Sequence, residues 1–138
     1  MFFKESINKT ENEHLAKVAA LLIHAAKIDE NYSDKEREII KKTLLKIGAK
    51  IENIENIIEN AKKIEENTVQ ILDFTKEVKS MSNENKIKII ESLWQIIYSN
   101  KEADIYETNL MRRLAGLLYI DSKIMGDIKD KIKKENLK

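Results

Sequence analysis

The run VAALLIHAA, Val18 to Ala26, is apolar on almost every helical face, and Leu15, Val18, Ala19, Leu22, Ile23 and Ala26 recur within it and just before it at helical spacing. A helix with no polar face belongs at the centre of a bundle. Thr10 with Glu13 forms a candidate capping box for its start, and the pattern carries it to about Ile28. A second helix is predicted from Ser33 to about Ile47, with Ile40, Leu44 and Ile47 inward and Ile39 and Thr43 beside them. Gly48 then suits the left-handed residue that ends many helices. The third helix is amphipathic, with the stripe Ile51, Ile54, Ile57, Ile58, Ala61 and Ile64, and Asn67 with Gln70 is a candidate cap for a fourth bearing Leu72, Phe74 and Val78. The polar cluster from Ser80 to Asn85 marks a turn before a fifth helix with Ile90, Leu93, Trp94 and Ile97 on one face, ending near Tyr98. Asp104 is a candidate cap for a sixth (Leu110, Met111, Leu114, Leu117, Leu118), and Asp121 or Ser122 for a seventh with Ile124, Ile128 and Ile132 inward. A fraying tail is expected from Lys129 onward.

Sliding the chain against itself by 71 residues superposes Asn12 on Asn83, Glu13 on Glu84, Lys17 on Lys88, Leu22 on Leu93, Glu36 on Glu107 and Ile57 on Ile128. Apolar positions follow, Ile39 onto Leu110 and Ile40 onto Met111, and the cap Ser33 falls on Asp104. The pattern is therefore a helix, an acidic loop and a capped helix, present twice. A half of this size buries its apolar face poorly alone, so the expectation is one all-α domain over residues 1–138, core about 10–133, built as a bundle of about seven helices in two related halves.

Composition narrows the chemistry. With no proline, no cysteine and three glycines, the chain lacks the breakers of a multi-stranded sheet, disulfides, thiolate metal sites and cysteine nucleophiles. The 25 basic and 24 acidic residues leave a net charge of +1, no footprint for nucleic acid. No apolar run is long enough for a bilayer span or a signal-peptide core, which predicts a cytoplasmic protein without direct membrane insertion. The abundance of lysine, isoleucine, asparagine and glutamate is of the kind AT-rich coding produces, so the lysines alone do not define a basic surface.

An apolar helix ending in Ala25-Ala26-x-x-Asp29, an acidic loop and a helix with Glu36 in its first turn resembles the TerB-like family, named for tellurite-resistance proteins. The second half resembles it too, in Leu93-Trp94, Tyr106-Glu107 and the run Arg112, Arg113, Leu114, Ala115, and the likeness covers roughly residues 12 to 130. It implies an all-helical, non-enzymatic domain of bacterial stress response, associated with membrane systems and proposed to bind a divalent metal through its acidic loops. The family pattern is Asp-Gly in each loop with Glu seven residues after the Asp. Asp29 and Glu36 match it, with Glu30 in the glycine position, whereas the second half keeps Glu107 but has Asn100 and Lys101 for Asp-Gly. An ammonium beside that loop weakens cation binding there unless Glu102 and Asp104 compensate. No residue points to tellurite itself.

The candidate ligands are thus Asp29, Glu36, Asn100, Glu102, Asp104 and Glu107, an oxygen set suited to calcium, magnesium or manganese. The loops are not EF-hands, since the sixth position holds Asp34 or Ile105 instead of glycine and the twelfth holds Ile40 or Met111 instead of glutamate. Glu36 and Glu107 have a second reading as capping-box partners of Ser33 and Asp104, compatible with the first. His14 and His24 lie ten residues apart on one helix and cannot share a metal; His24 reads as a half-buried side chain and Trp94 as core. Lys41-Lys42 and Arg112-Arg113 are solvated faces or contacts for an acidic partner or phosphate. No nucleophile stands beside a base in any motif, and no enzyme is expected. Two classes of function follow: a cation-binding protein of the TerB type, or a helical interaction module without metal whose groove takes a protein partner.

Overall fold

A computed structural model describes residues 2–27, 33–67, 72–99 and 105–136, with backbone alone for 2–10, 72, 105–108 and 136. Every regular element among them is helical: α1 (Phe2–Ala26), α2 (Asp34–Lys46), a 3₁₀ turn (Ile51–Asn53), α3 (Ile54–Asn67), α4 (Leu72–Lys79), α5 (Asn83–Tyr98), α6 (Ile105–Leu117) and α7 (Ser122–Asn136). No described helix is long and apolar enough to cross a membrane.

Val18 through Ile23 are all fully buried, as the pattern without a polar face requires, and α1 is covered by α2, α3, α4 and α5. The second centre is α5, packed against α1, α2, α4 and α7, with Ile89, Ile90, Leu93, Trp94, Ile96 and Ile97 buried. Thr43 on α2 and Ser92 on α5, both buried, bond to each other through their hydroxyls, so the polar atoms that enter this contact are paired.

The repeat reappears as geometry. α3 lies on α1 as α7 lies on α5, and Ile54, Ile57 and Ala61 are buried at the positions equivalent to Met125, Ile128 and Ile132. The ends of α2 and α6 correspond bond for bond. Ala49 N donates to Leu44 O at 2.9 Å and Gly48 N to Leu45 O at 3.3 Å; Ile120 N donates to Ala115 O at 2.9 Å and Tyr119 N to Gly116 O at 3.4 Å. Both close with a left-handed residue, Gly48 (φ 114°) and, 71 positions later, Tyr119 (φ 57°). The halves differ where the second is broken: Ser82 caps α5 by accepting from Asn85 N at 3.2 Å and leaves α4 as a separate helix, while α1 runs through the corresponding point. Glu11 stands where Ser82 stands in the alignment, and a glutamate is no N-cap.

Several expectations are corrected. The Thr10 capping box does not start α1, which begins at Phe2. Asn67 is the last residue of α3 rather than the cap of α4. Ile51 sits in the 3₁₀ turn and is 77% exposed, because α3 proper starts three residues later. On α7 the inward residue is Met125, whereas Ile124 is 43% exposed; the Met125, Ile128, Ile132 stripe follows the 3.6-residue period more closely than steps of four. The tail does not fray at Lys129, since α7 continues to Asn136 and buries Ile132.

α4 is moored by charge as well as by Phe74 and Val78. Glu77 accepts from His14 Nδ1 at 2.7 Å and from Lys17 Nζ at 3.2 Å, both on α1. The His14 bond, aided by Lys17 and opposed by partial burial, holds the Glu77 carboxyl below the usual carboxylate range. A lowered folded-state pKa means that Glu77 stabilises the fold above the ordinary value of 4.5 and loses that contribution as pH falls below it. Urea denaturation at a series of pH values should therefore show a shallower acid limb in Glu77→Gln than in the parent. Tyr119→Gly should stabilise the protein by about 1 kcal/mol in the same assay, because a side chain in the left-handed region costs that much and Tyr119 is mostly exposed.

Candidate cation site at the start of α2

Ser33 is extended (φ −96°, ψ 167°) and its hydroxyl oxygen accepts from Glu36 N at 3.3 Å. Glu36 reaches back: Oε1 accepts from Ser33 N at 3.0 Å and from the Ser33 hydroxyl at 2.9 Å. Both arms of a capping box are present, which satisfies donors that the first turn leaves without intrahelical partners. What sets this box apart is its burial, with Glu36 only 1% exposed. Both bonds from Ser33 fall on the same carboxylate oxygen, Oε1.

The start of α2 is tied to the end of α5. Lys35 Nζ in the first turn of α2 donates to Ser99 O at 3.4 Å. Of the predicted ligands, Asp29, Asn100, Glu102 and Asp104 lie outside the described residues. Glu107 is the third residue of α6, as Glu36 is the third of α2, with only its backbone described. Among the described residues no three histidine or acidic side chains form a metal-holding group.

Two charge clusters border this region that periodicity did not reveal. At the end of α1, Glu65 of α3 accepts from Lys27 Nζ at 2.7 Å and meets His24 Nδ1 at 3.4 Å, with its side chain 11% exposed. His24, half-buried as expected, also lies 6.2 Å from the Phe74 ring. On α3, Glu55 takes Lys41 at 2.8 Å together with Arg37. The Lys41 hydrogen bond lowers the pKa of the exposed Glu55 and raises that of the half-buried Lys41, so Lys41 is engaged within the protein while Lys42 stays exposed. Glutamates fall on many polar positions of this chain, and tertiary packing singles out Glu55 and Glu65 as ones that gain partners from another helix or its end.

Two related helical halves, with α3 on α1 as α7 is on α5 and a capping box at the start of α2, define the class of domain. The chain belongs to the TerB family: the family model described as Tellurite resistance protein TerB matches residues 15–130. No curated protein and no solved structure gives a significant match.

Ser33→Ala removes the hydroxyl that both accepts from Glu36 N and donates to Glu36 Oε1. It should cost about 1 kcal/mol in a denaturant titration, and it should do so equally with and without added divalent metal.

Proposed function

We propose that this protein is a non-enzymatic, divalent-cation-binding member of the tellurite-resistance type, in which Glu36 and Asp29 from one half and Asn100, Glu102, Asp104 and Glu107 from the other supply oxygen ligands. The observation that carries the reading is the buried carboxylate of Glu36 in the first turn of α2, the helix that follows the first acidic loop. Carboxylate and amide oxygens suit calcium, magnesium or manganese. A cation would screen the mutual repulsion of the loop carboxylates and fix the entry to α2 and α6, which makes the arrangement a sensor or holder of metal rather than a catalyst. The membrane-associated partner that the family likeness implies belongs to the same proposal.

The competing reading is a helical interaction module in which Glu36 is a cap and nothing more. Thermal melts separate the two. A ligand held only by the native state stabilises it by about 2.7 kcal/mol at 100 times its dissociation constant. For a chain of this length that corresponds to a rise of roughly 9 °C. The rise should appear with at least one of the three metals, reverse with chelator, and shrink strongly in Glu36→Gln and in Asp29→Asn, because glutamine keeps the capping geometry without the charge. Unchanged melting across millimolar additions of all three would leave the interaction module.

A further inference from the structure

The three glycines of this chain divide into one explained and two unexplained. Gly48 has φ 114°, which ends α2, whereas Gly116 and Gly126 are helical, have no positive φ, and would meet nothing within 4 Å if either carried a Cβ. Glycine weakens a helix relative to alanine, so neither conformation nor packing within the chain accounts for them. Both line the same cleft, of about 440 Å³, between α6 and α7. Its walls include Trp94, Met111 and Met125, and among the described residues its charged lining is Arg112 and Lys129. No ion pair engages either cation among the described residues, and Lys129 Nζ stands 5.5 Å from the Trp94 ring centroid. Trp94 is 2% exposed, yet its indole N–H, a donor only, has no protein acceptor.

An apolar cleft of small-ligand volume, kept open by two glycines and rimmed by two unpaired cations, has the complement of an anionic amphiphile. We propose that the cleft between α6 and α7 binds a small amphiphilic carboxylate, its apolar body against Trp94, Met111 and Met125 and its charge at Arg112 and Lys129. This site is independent of the proposed cation site, and neither reading depends on the other. Free carboxylate is favoured over a protein helix because the polar attraction is confined to two side chains at one small cleft. Met111 and Met125 adapt readily to the shape of an alkyl or aromatic body.

The sole tryptophan of the chain is a wall of the site, so its emission reports occupancy directly. Decanoate, below its aggregation concentration, should change Trp94 fluorescence saturably in the full chain, with matching heat in calorimetry, and decanol should bind about tenfold more weakly for want of charge. The double variant Arg112→Gln, Lys129→Gln should lose about the same factor for decanoate and nothing for decanol. Gly126→Leu should abolish the calorimetric signal while keeping the melting temperature at or above that of the parent. The milder Gly116→Ala should raise melting by a few degrees, as helix propensity dictates, and weaken binding. Overturning results are no saturable response to decanoate at millimolar concentration, equal binding by Gly126→Leu, or equal affinity for decanoate and decanol. A response to an acidic amphipathic peptide with none to decanoate would likewise overturn the proposal and make the cleft a peptide groove.

Discussion

The fold depends on the need to cover a helix that has no polar face. Leu21, Leu22 and Ile23 are fully buried side by side along α1, each contributing on the order of 1.5–3 kcal/mol by leaving water. Three consecutive residues on a helix point in directions 100° apart, so no single neighbour can bury them all. α2, α3, α4 and α5 together do so. α5 imposes the same demand in the second half, with Leu93, Trp94, Ile96 and Ile97 inward, and α7 answers it as α3 answers α1. The remaining elements follow from placing two such helices against each other.

The duplication is exact enough to reproduce a helix end bond for bond and loose enough to change the segment that joins the halves. A serine cap at position 82 breaks the second copy into α4 and α5, where the first copy continues as one helix. The freed α4 then touches α1, α5 and α6, and Glu77 ties it to His14 and Lys17. One capping residue thus converts part of a long helix into a bridge between the halves. The cost of copying shows at Tyr119, which inherits a left-handed position that Gly48 occupies without strain.

Glu36 belongs to both local and long-range structure. As the third residue of α2 it completes a cap, which asks only for sequence proximity to Ser33; its near-complete burial arises from where α2 docks. A buried carboxylate is expensive unless its oxygens are bonded, and the two bonds from Ser33 offset part of that expense. The cleft between α6 and α7 offers different chemistry, built from cations and apolar side chains.

The helices themselves were legible from the chain, because apolar spacing, caps and missing breakers are local properties: α2 came with its Ser33 cap and Gly48 end, and the displacement of 71 residues predicted two related halves. The family was legible as well, through short motifs flanking the two loops. Local reasoning failed where two local signals competed. Thr10 and Asn67 look like caps, yet continuous helix is favoured over both by the packing of α1 and α3. It also failed at phase, giving Ile124 the place of Met125, since one residue of helix start rotates the stripe by 100°. Tertiary structure alone decided that Glu36 is buried, that Glu55, Glu65 and Glu77 among many glutamates gain cationic partners, and that Gly116 and Gly126 face one cleft. Each of these is a meeting of residues far apart in the chain, and periodicity carries no information about which polar side chains meet once the apolar faces have closed.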